Sequence, residues 1–352
     1  MPLIINNHEI SEKSPPYIIA ELSANHDGSF DRAINSIKAA KEAGANAVKI
    51  QTYTADTMTI KSNKKDFMIE GGLWDGYQLY QLYEEAHTPY EWHKDLFSYA
   101  KEIGITLFST PFDETAIDLL ESLETPAYKI ASFELTDLPL IKLVAQTKKP
   151  LLMSTGMASE KEIGEAVKTA KMNGCESILL FHCVSSYPAT TEHSNLKYIK
   201  HLKSKYKLEV GLSDHTISNS ASISAIALGA SAIEKHFTLD KNKGLDKEFS
   251  LDKDELRLLV KSTNSSWQSL GNGKNERTTL EIQNKKFRRS IYFIKDLKAG
   301  SKITSNDIKR IRPSFGLAPK FFDEIIGYVL VKNVEAGDPV TWESIKKISN
   351  KI

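Results

Sequence analysis

The sequence predicts an α/β chain in which a (β/α)8 TIM barrel is followed by a small, mostly β domain. Three observations carry that expectation. Short apolar runs alternate with amphipathic helical patterns between residues 17 and 236. Helical segments end in a glycine just ahead of the next run, as a left-handed C-cap would. Neither glycine-rich loop of a doubly wound nucleotide-binding sheet is present, GxGxxG after a strand or GxxxxGK[ST].

The runs read as strands are YIIAEL (17–22), NAVKIQ (46–51), ITLFS (105–109), AYKIA (127–131), PLLMS (150–154), SILLFH (177–182), LEVGLS (208–213) and SAIEKH (231–236). Eight such repeats in ~220 residues fit the barrel in order and length. FDRAINSIKAAKEAG reaches Gly44 before the second run, and EWHKDLFSYAKEIG reaches Gly104 before the third. SEKEIGEAVKTAKMNG opens on Ser159, a suitable N-cap, and closes on Gly174, while SNSASISAIALGA brings Gly229 before the eighth run. Between strands two and three lies a long insert, TYTADTMTIKSNKKDFMIEGGLWDGYQLYQLYEEAHTPYEWH. Barrel function resides in the loops after strands, so this aromatic-rich excursion should either cover the site or pack on the outer helices.

A final helix, DKDELRLLVKSTNSSWQSLG, completes a barrel domain over residues 1–270. Residues 271–289 are polar and charged without apolar period, the composition of a linker. Residues 290–352 contain two similar phrases, KDLKAGSKIT and KNVEAGDPVT, that suggest repeated strand–turn units in a small β domain.

The 352 residues are 41% apolar and 26% charged, ordinary for a globular enzyme. A formal net charge of +1 offers no reason to expect nucleic acid or an anionic membrane as partner. Two cysteines, Cys175 and Cys183, exclude a disulfide scaffold and favour a reducing compartment. The N-terminus, MPLIINNHEI, lacks a basic segment ahead of a long apolar core, and no apolar run approaches the ~20 residues of a membrane span. A cytoplasmic protein is expected.

Chemistry gathers at the strand ends. GLSDHT and IEKHFTLD carry His215 and His236 on strands seven and eight, which are neighbours in a barrel. Their imidazoles then converge at one rim and read as a divalent-metal site, with substrate and water filling the remaining positions. The alternative is two satisfied structural histidines. His182 could be a third ligand, but its place within a strand points to the core. Lys49 and Lys129 lie inside strands where a barrel wants apolar residues, so each must meet an anion or a carboxylate. An ion pair such as Lys49 with Glu21, or Lys235 with an acid outside the barrel, is the plainer reading. With Thr110, Ser132, Ser154, Ser185 and Ser213 at the same rim, the lysines favour a phosphorylated or carboxylated substrate beside the metal. Glu21 and Glu134 are candidates for acid–base work or for binding sugar hydroxyls, or else neutralise the lysines.

These stretches resemble the sialic acid synthase family, which condenses phosphoenolpyruvate with an amino sugar. The resemblance runs through IIAELSANHDGS, AVKIQTY, STPFD, YKIASFE, STGMA, SSYP, GLSDHT and IEKHFTLD, and RRSIYFIKDLKAGSKIT…RP…GL resembles the antifreeze-like (SAF) domain. ELSANH and GGLWDGYQLYQLYEEAHTPYEWHKDLF look like the pseudaminic acid branch of that family. The resemblance implies that His215 and His236 ligate Mn2+ or Mg2+, and that Lys49, Thr110, Lys129, Ser132, Ser154 and Ser213 surround phosphoenolpyruvate. Ser185 joins that set where the sialic acid branch has Asn. Glu21, Glu134 and Asp246 would face the sugar, and Arg312 would reach it from the partner's small domain in a domain-swapped homodimer. Sibling synthases using N-acetylmannosamine or the legionaminic precursor are alternatives within the family. A non-catalytic carbohydrate-binding protein and a metal-dependent barrel hydrolase are alternatives outside it.

Overall fold

A computed structural model describes residues 3–348. The eight expected strands are all present and close into one parallel barrel in chain order. They are Tyr17–Glu21, Ala47–Thr52, Thr106–Pro111, Tyr128–Ile130, Leu151–Ser154, Ile178–Cys183, Glu209–Asp214 and Ala232–His236, and the eighth pairs with the first. Along each strand the side chains alternate between lumen and outer shell. Ile18, Val48, Leu107, Ile130, Met153, Leu180, Leu212 and Ile233 face outward into one continuous core with the helices. Ile19, Ala47, Phe108, Leu152, Leu179, Phe181 and Ala232 fill the lower lumen. Gly211 is required there: a Cβ would stand 2.5 Å from the Phe181 ring and 2.6 Å from the Ala232 carbonyl oxygen.

A two-stranded hairpin, Leu3–Ile5 with His8–Ile10, caps the amino end of the lumen, and its Leu3, Ile5 and Ile10 join the lumen cluster. Asn6 and Asn7 make its turn at φ 45° and 67°, the pair of positive angles that a type I′ hairpin turn needs. Helix punctuation follows the expected rules. Ser29 caps Phe30–Ala43, and Gly44 ends it at φ 96° with its N–H donated to Ala40 O. Ser159 and Glu162 form a reciprocal capping box on Glu160–Met172, and Gly104 closes Tyr90–Ile103. The insert after strand two folds as short helices at Ala55–Met58 and Leu79–Ala86 joined by an irregular segment. Lys253–Leu270 is the closing helix.

The chain divides into two compact units, Met1–Gly271 and Asn272–Ile352. The second unit has its own core of Ile291, Phe293, Ile303, Ile308, Ile325, Leu330, Val334, Val340 and Ile345. Two antiparallel pairs build it, Ser290–Phe293 with Ile308–Ile311 and Val329–Leu330 with Ile345–Lys346. The two similar phrases meet directly, since Leu297 of the first bridges Val334 of the second. Within the stretch of linker composition, Thr278 and Glu281 box a single helical turn at Thr279–Gln283. No helix of the described residues is long and apolar enough to cross a membrane.

Candidate active site

At the carboxyl rim the lumen turns polar. Lys49 on strand two, Lys129 on strand four and Glu234 on strand eight all point inward, as do Glu21, Gln51, Thr110 and Ser213. Lys129 Nζ lies 3.0 and 3.2 Å from the two Glu234 carboxylate oxygens, and Ser213 donates its hydroxyl to Glu234 Oε1 at 3.2 Å. Lys49 Nζ pairs with Glu21 Oε2 at 2.7 Å, donates to Thr110 Oγ1 at 3.0 Å, and stands 3.8 Å from Glu234. Gln51 donates to the other Glu21 oxygen at 2.9 Å.

All four charges are buried, and their titration follows from one another. Burial pushes the Glu234 carboxyl up, but the ammonium groups of Lys129 and Lys49 outweigh it and hold Glu234 below its usual range. Burial pulls Lys49 down, yet Glu21 and Glu234 together leave it raised. Lys129 stays lowered because burial, with Lys49 nearby, exceeds what Glu234 restores. Glu21 is raised by burial, with the Glu234 charge adding to the effect. The result is a closed quartet of two cations and two carboxylates, set beneath a rim of hydroxyl donors. An incoming phosphate or carboxylate can take over one ammonium from its carboxylate partner.

The next strands add hydroxyls. Ser132 and Ser185 lie within hydrogen-bond reach of each other at 2.8 Å, and Gly156, at φ 43°, turns between them. A Cβ there would come within 2.4 Å of Ser132 Cβ and 2.7 Å of Ser185 Oγ, so the close approach needs glycine. Ser154 is buried at the end of strand five, two residues past the Leu152 that pairs with Lys129.

The two histidines stand side by side, ring centroids 5.5 Å apart. His215 Nδ1 donates to Val184 O at 2.9 Å, which fixes the proton on that nitrogen and leaves Nε2 its lone pair. His236 Nδ1 lies 3.1 Å from Ser23 Oγ and 3.9 Å from Asp246 Oδ2. Burial, then the neighbouring His215 and the lysines, hold His236 well below its normal range, and burial lowers His215 as well. Both rings are therefore neutral, the form that ligates a metal. Among the described residues no group of three or more His, Cys, Asp or Glu is arranged to hold an ion. The donor set fits a divalent ion with two protein ligands, the rest coming from substrate and water.

Beside the histidines opens a cavity of about 320 Å3. One wall comes from the barrel, with Gln51, Phe112, Glu134, Tyr187, His236, Asp246 and Phe249; the other comes from the insert, with Met58, Ile69, Trp74, Leu79, Leu82 and Tyr83. Of the two expectations for the insert, covering the site is the one realised. Tyr187 packs against His215 at 4.4 Å and Phe249 at 5.2 Å, bracing the imidazoles. Glu134 lines the cavity with Oε2 buried and unpartnered, and burial raises its carboxyl to about 7. Burial also raises Asp246 against the pull of the Ser23 hydroxyl and the Ala24 N–H.

The structure thus brings Glu21, Lys49, Thr110, Lys129, Ser132, Glu134, Ser154, Ser185, Ser213, His215, His236 and Asp246 to one rim. Arg312 belongs to the second unit, just past its Ile308–Ile311 strand. His182 points outward, 2.7 Å from Ser194 O and edge-on to Tyr198, a structural role. Lys235 also points outward, held by Asp214 at 2.9 Å and by the carbonyls of Thr216 and Ser218. Glu134 does not neutralise Lys129; Glu234 does. Glu234 has no role in the sequence reading, although its inward register on the strand of His236, in a barrel with two in-strand lysines, is a signal for it. Gln51 at the end of strand two likewise carries no role in the sequence reading, nor do Tyr187 and Trp74, although all three line the cavity.

Comparison with known proteins agrees with this geometry. Residues 36–275 match the NeuB family and residues 288–346 the SAF domain. Pseudaminic acid synthase of Campylobacter jejuni is 47% identical over 92% of this chain and 94% of its own. The enzyme of the same name from Helicobacter pylori is 42% identical over 95% and 98%. The crystal structure of N-acetylneuraminic acid synthetase from Leptospira borgpetersenii, in complex with citrate, superposes with a TM-score of 0.73. That structure is 32% identical and covers 81% of this chain and 95% of its own. With the eight-stranded barrel, its polar rim and both matching regions in place, the chain belongs to the NeuB family and carries a SAF domain.

Proposed function

We propose that the chain is a pseudaminic acid synthase. It condenses phosphoenolpyruvate with 2,4-diacetamido-2,4,6-trideoxy-β-L-altropyranose and water to give pseudaminic acid and phosphate. The observation that carries the choice of sugar is the insert-built cavity wall of Met58, Ile69, Trp74, Leu79, Leu82 and Tyr83. A sugar with a methyl at carbon six and two acetamido methyls presents apolar surface to such a wall, whereas N-acetylmannosamine presents hydroxyls that would lose water there. Identity of 42–47% to pseudaminic acid synthases, against 37% to the N,N'-diacetyllegionaminic acid synthase of Legionella pneumophila, supports the same choice.

In this reading Lys49 and Lys129 offset the charge of phosphate and carboxylate on phosphoenolpyruvate, with hydroxyls of Thr110, Ser132, Ser154, Ser185 and Ser213 around it. Carbon three of phosphoenolpyruvate forms the new bond to the aldehyde carbon of the open-chain sugar. Water adds at carbon two, and phosphate departs with cleavage of its C–O bond. Glu134, half-protonated near neutral pH, can give or take the proton at the sugar oxygens, with Asp246 as the other carboxyl on the cavity wall and Glu21 held behind Gln51. His215 and His236 would hold Mn2+ or Mg2+, which when bound supplies Lewis acidity at the aldehyde oxygen.

Arg312 would complete the sugar site from the partner subunit of a domain-swapped homodimer. Charge distribution supports that reading. Residues 272–352 carry 17 Lys and Arg against 9 Asp and Glu, while residues 1–271 carry 29 against 36, so the small unit of one copy is drawn to the barrel of another. Both cysteines are free and buried, which suits the cytoplasm.

Phosphate release tests the reading. The enzyme should turn over with phosphoenolpyruvate plus the diacetamido altrose sugar, and at least ~10-fold more slowly in kcat/KM with N-acetylmannosamine. Preference for N-acetylmannosamine would overturn the choice of sugar, and no phosphoenolpyruvate consumption with any sugar would overturn the enzyme.

A further inference from the structure

Two polar atoms on the walls of the 320 Å3 cavity are buried without a hydrogen-bond partner among the described residues: Glu134 Oε2 on the barrel side and Trp74 Nε1 on the insert side. The first belongs to the acid–base machinery already described. The second is unexplained. Indole N–H is a donor only, and a buried one left unpaired costs about 1–3 kcal/mol, so a protein that keeps it there needs an acceptor for it in the working state.

The loop that presents Trp74 is built to hold it. Ile69 N donates to Tyr77 O and Gly76 N to Ile69 O, both at 2.9 Å, closing the segment at its base. Gly71, Gly72 and Gly76 all take positive φ, and the Asp75 carboxylate accepts from Gly71 N. Gln78, buried at the end of the loop, ties it to Ser62 O and Asn63 Oδ1, each at 2.8 Å. The indole neighbours Tyr187, ring centroids 6.1 Å apart, and Tyr187 in turn packs on His215 at 4.4 Å. Trp74 thus lines the insert wall of the cavity, and the aromatic ring it meets is Tyr187 rather than either imidazole.

We propose that Trp74 determines sugar specificity by donating its indole N–H to the carbonyl oxygen of the distal acetamido group, the one at carbon four. This rests on the synthase reading above. With the aldehyde carbon beside the histidines, the acetamido at carbon two lies near the reacting end and the one at carbon four reaches towards the insert. The indole packs on the acetamido methyl while its N–H meets the carbonyl, so an amide satisfies both halves of the side chain; a hydroxyl at carbon four brings no methyl, and its oxygen stops two bonds short of where the amide carbonyl oxygen reaches.

The test is Trp74→Phe, which keeps an aromatic ring and removes the donor. Steady-state phosphate release is measured with the diacetamido sugar and with its analogue bearing a hydroxyl at carbon four. Wild-type turnover of the diacetamido sugar establishes the synthase independently of Trp74. In the variant, kcat/KM for the diacetamido sugar should fall ~10-fold or more, mainly through KM, as expected for loss of one buried hydrogen bond. The hydroxyl analogue and the KM for phosphoenolpyruvate should stay within about twofold, since neither uses that donor. An equal fall for both sugars would mean that Trp74 only holds the loop, and an unchanged ratio with unchanged KM would mean that it reads nothing. Either result overturns the proposal while leaving the synthase intact.

Discussion

Lys129 and Glu234 meet across the barrel lumen from diametrically opposite strands, Nζ to Oε1 at 3.0 Å, although 105 residues separate them in the chain. The pair is fully enclosed, so each charge depends on the other. Taking away one partner of a buried pair leaves an uncompensated charge and costs about 3–5 kcal/mol, whereas replacing both with apolar residues can be nearly neutral. Glu234→Gln and Lys129→Met should each destabilise the chain by that order, and Lys129→Met/Glu234→Leu should recover most of the loss. Urea unfolding of the three variants measures the coupling. Additive losses would show that the two side chains do not depend on each other. All three variants should lack phosphate release, because Lys129 also faces the anion.

Gly156 offers a way to disturb the hydroxyl cluster without touching a charge. The added methyl of Gly156→Ala points at Ser132 Cβ and Ser185 Oγ, at 2.4 and 2.7 Å, and at φ 43° the left-handed backbone itself costs about 1–2 kcal/mol. The two serines must separate. KM for phosphoenolpyruvate should rise ~10-fold or more while that for the sugar changes little. A change confined to the sugar would remove Ser132 and Ser185 from the anion site.

Most of the barrel was legible because it rests on local signals. Apolar runs, glycine C-caps and the Ser159 cap each act within a few residues, and counting them placed His215 and His236 on adjacent strands. What stayed hidden depends on partners far away in sequence. Glu234 has the same period-two register as His236, but nothing near it announces Lys129. His182 is the exception: its place within a strand already points to the core, and alternation puts Phe181 and Cys183 in the lumen and His182 outside it. The amino-terminal hairpin was missed since its strands are only three residues each, although the Asn6–Asn7 pair was a turn signal. Trp74 was visible only as one aromatic among many, and its orphaned N–H is a property of the folded loop.

Buried groups give the stability a pH dependence of mixed sign, and His26, His93 and Glu134 illustrate both signs. Burial, with His87 nearby, lowers His26 to about 4, and burial lowers His93 to about 4 despite the hydrogen bond from its Nδ1 to Pro89 O. Each histidine is neutral when folded and protonates near 6.5 when unfolded, so its contribution is complete above 6.5 and is lost as pH falls towards 4. Glu134 works the other way. With its folded value at about 7 against 4.5 unfolded, it destabilises as pH rises between those values. Each of these shifts corresponds to at most ~3.4 kcal/mol. Burial lowers His182, His215 and His236 in the same sense as His26 and His93, and raises Glu21 and Asp246 in the same sense as Glu134. Five histidines then outweigh three carboxyls, and the protein should weaken on acidification from 6.5 to 4. Glu134→Gln removes the opposing slope and should make the acid loss steeper, whereas His93→Gln should make it shallower. Urea midpoints at pH 7, 5.5 and 4.5 decide. An acid loss left unchanged by Glu134→Gln would place its carboxyl in the ordinary range.

The paired histidines make a prediction that does not depend on turnover alone. Their rings are positioned by protein contacts, His215 by the Val184 carbonyl and both by packing against Tyr187, so the barrel should stay folded without an ion. An ion that binds only the folded state raises stability by about 2.7 kcal/mol at a hundredfold excess over its Kd. Mn2+ or Mg2+ should therefore raise Tm after chelation and restore phosphate release that chelation abolished. His215→Ala and His236→Ala should each fold, show no such rise in Tm, and release no phosphate. Two neutral imidazoles, with no third side-chain ligand among the described residues, should also bind weakly enough for chelation to be quick and reversible. A Tm response to Mn2+ that survives in both variants would move the ion elsewhere, and full activity after exhaustive chelation would leave the two histidines with only the packing role that their aromatic neighbours already give them.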